Sequence, residues 1–209
     1  MFEQLTWPVT NLILSFGYLG VFISMIVNSN FIPIHSEIIL PFAGFLASQG
    51  KLSLPLILTT SVLGDLIGAT IGYHVGYFLE ETAVTSLIKK YGKFVFIKEN
   101  DYKKVTDWIN KYGAPVVFVA KLTPGLKSIS SIVSGLSKIK FSRFLLCVLF
   151  ASVIYNFILI YLGFYLGSNW AILGFYVKKV EIIIMLLVLG GIVFYINHKL
   201  KIIKLPKVR

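Results

Sequence analysis

The sequence has few of the residues that build disulfides, metal clusters and charged surfaces. Its one cysteine, Cys147, lies in an apolar run, which excludes an internal disulfide and a cysteine-based metal cluster. Only 14% of the residues are charged, and acids are scarce, with 9 Asp and Glu against 20 Lys and Arg. The first ten residues contain no Lys or Arg. They therefore lack the basic start of a cleavable signal peptide, and we expect them to remain on the mature protein.

Apolar residues are abundant. They make up 56% of the 209 residues, and the mean hydropathy is +0.82. A soluble domain is less apolar and more charged than this, so the lipid bilayer is the expected solvent. We therefore predict an all-α integral membrane protein that forms a single membrane domain over residues 1–209.

The net charge of +11 is concentrated beside apolar runs rather than along one soluble face, so we expect no nucleic-acid partner. Five basic residues close the chain in NHKLKIIKLPKVR, and seven lysines fall within 82–111. By the positive-inside rule, we expect both regions to be cytoplasmic. We predict that 82–111 is an amphipathic basic linker lying against anionic headgroups.

Internal repetition is the most informative feature of the organisation. Shifting the sequence by 91 positions superimposes three pairs of glycines and one pair of prolines without a gap. These residues punctuate backbone geometry, so their coincidence predicts a structural duplication. Repeat one covers about 10–79 and repeat two about 113–167. The superimposed pairs are Pro33 with Pro124, Gly44 with Gly135, Gly72 with Gly163 and Gly76 with Gly167, while Asp65 falls on Asn156.

Each repeat combines short apolar segments with one long run. The runs 54–79 and 141–167 are long enough to span, because a crossing needs about 20 helical residues. The uncharged pieces 38–50 and 128–137 are too short, which predicts a re-entrant helical hairpin in each repeat. The residues predicted to shape the hairpins are Pro33, Pro41, Gly44, Pro124, Gly125 and Gly135.

A repeat that consists of a re-entrant hairpin and one span crosses the membrane an odd number of times. The second repeat therefore starts on the opposite side of the membrane and is predicted to be inverted relative to the first. A transmembrane helix at 180–197 then returns the chain to the cytoplasm. One segment stays ambiguous, because 10–30 is long enough either to span completely or to form half of a hairpin. Inverted repeats that meet near the midplane are typical of transporters.

Four ionisable residues fall within apolar segments: Glu37, Asp65, Lys121 and Lys127. Each costs about 2.5–3.5 kcal/mol at the centre of a membrane helix, so the fold must satisfy them. One interpretation is a pair of structural ion pairs, Glu37 with Lys127 and Asp65 with Lys121. The other is a ligand site, in which Lys121 and Lys127 hold a phosphate while Glu37 and Asp65 couple transport to protons or ions. Neither interpretation requires a metal or a cofactor.

The motifs also resemble a known family. Glu37-Ile-Ile-Leu-Pro41 with Ala43-Gly44, then Gly64-x3-Gly68-x4-Tyr73-x2-Gly76, then Lys121-x2-Pro124-x2-Lys127 with Gly135, is similar to the DedA family of bacterial membrane proteins. The eukaryotic relatives of that family are VTT-domain lipid scramblases. The resemblance covers about 17–168 and implies transport of lipids such as undecaprenyl phosphate or phosphatidylethanolamine, with an ion dependence in several cases.

The resemblance implies that Glu37 is the membrane acid and that Lys121 and Lys127 stand at the paired basic positions. The chain departs from the family pattern in having Lys where Arg is usual at both positions, and Ala69 where an Asp is usual. Lys lacks the bidentate fork of Arg, so the headgroup geometry implied by the family does not transfer directly. Asp65, one turn before Ala69, is a candidate to replace the missing acid.

The leading hypothesis is therefore a flippase, not an enzyme, for a phosphate-bearing lipid, with undecaprenyl phosphate as the first candidate. A phosphatidylethanolamine-type scramblase and a non-transporting membrane-organising protein are the alternatives. An intramembrane lipid phosphatase would normally need a His or other nucleophile, backed by several Arg or Lys and a second His. The sequence has three His, one of them His198 in the basic tail, and no metal-ligand spacing, so we disfavour this class. The expected partners are membrane lipids with an anionic phosphate headgroup. The oligomeric state, including a homo-oligomer, is left open.

Overall fold

The computed structural model describes residues 10–29, 36–79, 99–123, 126–167 and 182–183, and every regular element within those ranges is an α-helix. The all-α prediction is confirmed for this part of the chain. Three predicted hairpin residues, Pro33, Pro124 and Gly125, lie outside the described ranges. So do residues 82–98 of the predicted linker and the predicted C-terminal helix 180–197, apart from the helical residues 182–183.

The described residues form the following helices. In chain order they are α1 (10–16), α2 (Tyr18–Asn28), α3 (Ser36–Ser48), α4 (Leu54–Phe78), α5 (Glu99–Tyr112), α6 (Pro115–Leu122), α7 (Lys127–Leu136) and α8 (Phe141–Leu166).

The two long helices match the predicted spans to within one residue at each end. With 25 and 26 residues, α4 and α8 are about 37 and 39 Å long at 1.5 Å per residue. Both exceed the roughly 30 Å hydrocarbon core of a bilayer. Both are also apolar enough to cross it.

Apolar side chains are exposed along one side of each long helix. They recur every three or four residues, which places them on one helical face. An apolar face that stays exposed in the folded chain is suited to contact with lipid tails. On α4 these side chains include Leu56, Leu63, Ile67, Ile71 and Phe78, and on α8 they include Leu146, Phe150, Ile154, Phe157 and Tyr161.

The first apolar segment is not one straight helix. Gly17 separates α1 from α2 and has a φ of +56°, a left-handed conformation that glycine adopts readily. The chain folds back there and brings Gly20 of α2 against Leu12 of α1. The two backbones are so close that a Cβ on Gly20 would clash with the carbonyl oxygen of Leu12. The ambiguous segment 10–30 is therefore broken into two short helices rather than one complete span.

Two helix crossings bring backbone against backbone. Helix α3 meets α8 at Gly44 and Gly163, where a Cβ would clash with the carbonyl oxygens of Ile160 and Pro41, respectively. Helix α4 meets α7 in the same way. There, a Cβ on Gly76 would clash with Ile132 and a Cβ on Gly135 with Tyr73. Each short helix is thus packed against a long helix that is distant in sequence.

The buried apolar residues form two clusters. The first joins Val21 and Met25 of α2 with Ile39 of α3 and Leu159 of α8. The second joins α4, α5, α6, α7 and α8 through residues that include Tyr73, Ile109, Val117, Val133 and Phe144. On α4 the polar residues Ser61 and Asp65 fall between Ile57 of the first cluster and Ala69 of the second.

Candidate functional site

Asp65 on α4 is the centre of a buried polar network. Its side chain is 1% exposed, and Lys127 Nζ lies 2.9 Å from Oδ1 and 3.1 Å from Oδ2. Ser29 Oγ donates to Oδ1 at 3.0 Å, and Asn156 Nδ2 donates to Oδ2 at 3.1 Å. Because a buried carboxylate is stable only when it is paired and hydrogen-bonded, these contacts explain how it is tolerated. They also tie α4 to α7, to α8 and to the end of α2.

The glycines that flank Asp65 allow this approach. At Gly64 a Cβ would lie 2.7 Å from the carbonyl oxygen of Phe22, and at Gly68 it would lie 2.8 Å from that of Ile26. Any larger residue would therefore push α2 away from α4. Ser29, which follows directly after α2, would then lose its contact with Asp65. The Gly64-x3-Gly68 spacing thus serves to position a hydrogen-bond donor.

Lys127 is the first residue of α7, and its side chain is only 12% exposed. Besides Asp65, it contacts Tyr155 of α8, with Nζ 5.6 Å from the centre of the ring. A cation over an aromatic face is attracted by the ring quadrupole, more strongly when it is shielded from water. Lys127 therefore holds the start of α7 against both long helices.

The ion pairing differs from the one expected. Asp65 is paired with Lys127, not with Lys121, so that predicted pair is wrong. Glu37 accepts a hydrogen bond from Tyr155. The physical reason is the helix arrangement. Lys127 begins α7, the helix that packs directly on α4, whereas Lys121 lies near the end of α6.

Lys121 is buried, at 3% exposure, without a carboxylate partner in the part of the chain that the structure describes. Its ammonium donates a hydrogen bond to Ser131 Oγ at 2.7 Å, and Ser131 is itself fully buried on α7. A buried ammonium with a single neutral acceptor is poorly compensated. Within the described residues, Ser131 is the hydrogen-bond acceptor that compensates this buried side chain.

Glu37 is in the first turn of α3. Tyr155 donates to Glu37 Oε1 at 2.7 Å, and the same tyrosine ring lies under Lys127. Pro41 is inside α3 and has no N–H, so it cannot form the usual helical hydrogen bond to the carbonyl oxygen of Glu37. Tyr155 of α8 thus links Glu37 of α3 to Lys127 of α7.

We expect Tyr155→Phe to lower the free energy of unfolding by about 1.5–3 kcal/mol, the usual contribution of a hydrogen bond to a charged group. The variant keeps the ring that faces Lys127 and removes the hydroxyl group that donates to Glu37. Thermal unfolding in detergent measures the effect. Tyr161→Phe is the control, because Tyr161 lies on the same helix and is 52% exposed. Equal unfolding midpoints for the two variants would contradict the assigned contact.

Four charged residues of the site were predicted from the sequence, but several of their partners were not. Tyr155 and Ser29 were not singled out, and no local pattern marks them, because each acts through a contact with a distant helix. Asn156 did leave a signal, since the 91-residue shift places it on Asp65, and the two side chains are in contact. Of the predicted hairpin residues within the described ranges, Gly44 and Gly135 lie at the two helix crossings.

Among the described residues, no group of three or more His, Cys, Asp or Glu side chains is arranged to hold a metal ion. His74, the one histidine within those ranges, has Nδ1 2.8 Å from the carbonyl oxygen of Thr70, one turn earlier on α4. The site is therefore built from one acid–lysine pair, a second lysine, a second acid and neutral hydroxyl and amide groups.

Comparison with known proteins gives consistent matches. The VTT domain family matches residues 32–165. Undecaprenyl phosphate transporter A of Bacillus subtilis is 31% identical over 206 residues, 97% of this chain and 96% of that protein. Its namesake in Staphylococcus aureus is 30% identical over 199 residues, 93% and 98% of the two chains. An alkaline phosphatase-like protein of Lactococcus lactis is 31% identical over 189 residues, 88% of each chain. No solved structure gives a significant match.

The matched region contains Glu37, Asp65, Lys121 and Lys127, together with the glycines of both helix crossings. It covers more than half of the chain and includes both long apolar helices. The chain is therefore a membrane protein that belongs to the VTT domain family, the family of the DedA proteins.

Proposed function

We propose that this protein moves a phosphate-bearing lipid between the leaflets of the bacterial cytoplasmic membrane, with undecaprenyl phosphate as the leading candidate. The observation that carries the proposal is Lys127, an almost buried lysine that is paired with Asp65. In the proposed mechanism a lipid phosphate takes the place of Asp65. Two relatives that align over nearly the full chain are named undecaprenyl phosphate transporters, which supports this choice of lipid.

The start of α7 is suited to an anion. Lys127 is the first residue of that helix, and no side chain in the described part of the chain caps its N-terminus. The first N–H groups of a helix have no partner within the helix, and they favour negative charge. Lysine is a point-charge phosphate binder, so Lys127 and these N–H groups together would hold a lipid phosphate. Lys121, buried beside Ser131 on the same helix, adds a second positive charge.

An inverted repeat with re-entrant hairpins is the architecture we propose for this site. Helices α3 and α7, with 13 and 10 residues, are about 20 and 15 Å long, which is too short to cross a bilayer. The 91-residue shift relates Gly44 to Gly135, and each of these glycines packs its short helix onto the long helix of the other repeat.

Asp65 and Asn156, which the same shift relates, touch each other at 3.1 Å. Equivalent residues of two repeats can meet only near the axis that relates the repeats. The polar network would therefore lie where two oppositely oriented halves join, the position that transporters with inverted repeats use for their substrate. In this arrangement the linker and the C-terminus face the cytoplasm, as their basic residues favour.

The proposed transport step is an exchange of partners. The lipid phosphate competes with Asp65 for Lys127, while the lipid tail stays in the hydrocarbon against the exposed apolar faces of α4 and α8. Glu37, hydrogen-bonded to Tyr155 beside the same lysine, is placed to take up a proton. Protonation of Glu37 would remove a negative charge near the phosphate and so favour its entry.

Lipid translocation in proteoliposomes tests this function. The wild-type protein should accelerate the movement of labelled undecaprenyl phosphate relative to protein-free vesicles. Lys127→Gln should slow it by about ten- to a hundredfold, since a charge-assisted hydrogen bond contributes about 1.5–3 kcal/mol. Glu37→Gln should also slow it, because the amide cannot take up and release the proton that the proposed cycle requires. Lys140→Gln is the control, because Lys140 is exposed in the short connection between α7 and α8. Normal transport in both site variants would contradict the mechanism.

The same vesicles separate the alternatives. Faster movement of phosphatidylethanolamine than of undecaprenyl phosphate would support the scramblase. No movement of either lipid would support a membrane-organising protein. Release of inorganic phosphate from the lipid would support an enzyme, as the name of the Lactococcus lactis relative suggests for that protein.

A further inference from the structure

Tyr155 contacts two charged side chains that belong to different short helices. Its hydroxyl donates to Glu37 Oε1 at 2.7 Å, and its ring centre lies 5.6 Å from Lys127 Nζ. The residue is buried on α8, at 3% exposure. A tyrosine hydroxyl has one proton to donate and lone pairs that accept. The group that receives this proton therefore decides what else the hydroxyl can bind.

The hydroxyl is close enough to contact an anion that Lys127 binds. Lys127 Nζ lies over the ring, and the phenol oxygen is about 3 Å from the ring centre, so the two polar atoms are about 6 Å apart. A phosphate can bridge that distance, because two of its oxygens can each accept a hydrogen bond of about 2.8 Å.

The charge on Glu37 determines which way the hydroxyl points. A charged carboxylate is a strong acceptor and holds the Tyr155 proton. In that state the hydroxyl presents lone pairs to other groups, and lone pairs repel a phosphate oxygen. When Glu37 takes up a proton, its own O–H can donate to the Tyr155 oxygen. The Tyr155 proton is then free to turn toward the phosphate, where it forms a charge-assisted hydrogen bond.

We propose that Tyr155 is a hydrogen-bond donor to the lipid phosphate, and that protonation of Glu37 releases its hydroxyl for this role. To that extent the inference rests on the proposed function, in which Glu37 takes up a proton. One hydroxyl thereby couples proton uptake to phosphate binding. It donates to the acid before the proton arrives and to the phosphate afterwards.

Binding of farnesyl phosphate to the purified full chain in detergent, measured by calorimetry, tests this role. The pH is held at about 8, where the charge of a phosphate monoester is constant because its second pKa is about 6. Glu37→Gln, which is permanently neutral, should bind the probe more tightly than wild type. Tyr155→Phe alone should change the affinity little. In the Glu37→Gln background, Tyr155→Phe should weaken binding at least about tenfold, the effect of losing one charge-assisted hydrogen bond.

The comparison between the two backgrounds gives a result that a merely structural role would not produce. A structural role predicts that Tyr155→Phe weakens binding by the same factor whether or not Glu37 is replaced. Equal factors would overturn the proposal, and so would the absence of any effect in the Glu37→Gln background. Tyr165→Phe, on the same helix and 79% exposed, is the control and should leave binding unchanged in both backgrounds.

Proton uptake on binding tests the same link without replacing Glu37, which keeps the proposal testable if Glu37→Gln does not fold. Calorimetry in buffers of different ionisation enthalpy should show about one proton taken up per bound phosphate in wild type, and fewer in Tyr155→Phe. The other charged side chains of the site are Asp65 of α4, Lys121 of α6 and Lys127 of α7, and Tyr155→Phe keeps all three. Equal proton uptake by the two proteins would contradict the coupling.

The outcomes separate this inference from the proposed function. The expected difference between the backgrounds, without any lipid movement in proteoliposomes, would support Tyr155 as a phosphate donor and overturn the transport proposal. Lipid movement that depends on Lys127, with equal effects of Tyr155→Phe in both backgrounds, would support transport and overturn the role of Tyr155. If no variant binds the probe, both are overturned, because neither then has a phosphate site.

Discussion

Asp65→Asn should lower the free energy of unfolding by about 3–5 kcal/mol, the range expected when one member of a buried ion pair is removed. The variant leaves Lys127, 12% exposed, without its carboxylate partner. Lys127→Gln alone should be less destabilising, because Asp65 keeps the hydrogen bonds from Ser29 and Asn156. Unfolding midpoints in detergent measure both effects.

The double variant Asp65→Asn/Lys127→Gln should recover most of that stability. Two amides can replace the ion pair by a neutral hydrogen bond, and replacing both members of a buried pair is often neutral. The two single variants and the double variant complete a double-mutant cycle, which isolates the coupling between the side chains. A coupling near zero would show that the contact between Asp65 and Lys127 contributes little to the fold.

Lys121→Met should have the opposite effect on stability. It removes a buried ammonium whose one hydrogen-bond partner in the described part of the chain is Ser131, and it keeps a side chain of similar length. We expect the free energy of unfolding to rise by about 1–4 kcal/mol, as is seen when buried charges are replaced by apolar groups of similar volume. Transport of undecaprenyl phosphate should fall at least about tenfold, the effect of losing one charge-assisted contact.

A more stable Lys121→Met variant that transports more slowly would show that Lys121 is kept for function at the expense of stability. Lys111→Met, at an exposed lysine of α5, is the control and should change neither property. A lower unfolding midpoint for Lys121→Met would contradict the account. Lys121 would then be a structural residue, and the loss of transport would follow from damage to the fold.

Hydropathy and length in the sequence were sufficient to predict the long helices. The runs 54–79 and 141–167 correspond to Leu54–Phe78 and Phe141–Leu166, because an apolar run of that length has few alternatives to a spanning helix. The break at Gly17 could not be predicted in the same way. A single glycine is often tolerated within an apolar helix, and here the fold-back depends on the contact between Gly20 and Leu12.

The four charged side chains could also be predicted, since charges are rare in membrane segments and must be satisfied. Which acid pairs with which lysine could not be predicted from the sequence. Whether Asp65 meets Lys121 or Lys127 depends on which short helix lies on α4, and that follows from the crossing at Gly76 and Gly135. The neutral partners were the hardest to predict, because a serine or tyrosine in an apolar helix is more often a packing residue. Asn156 was the exception, because the 91-residue shift aligns it with Asp65 in the sequence.

The central claim is that a lipid phosphate replaces Asp65 as the partner of Lys127. Solid-state NMR of the protein in bilayers, with ¹⁵N-labelled lysine side chains and undecaprenyl phosphate as the source of ³¹P, measures that contact directly. We expect dipolar coupling between the phosphate and the Lys127 nitrogen, and its disappearance in Lys127→Gln. Coupling confined to the exposed lysines, with the Lys127 nitrogen unaffected by the lipid, would contradict the claim.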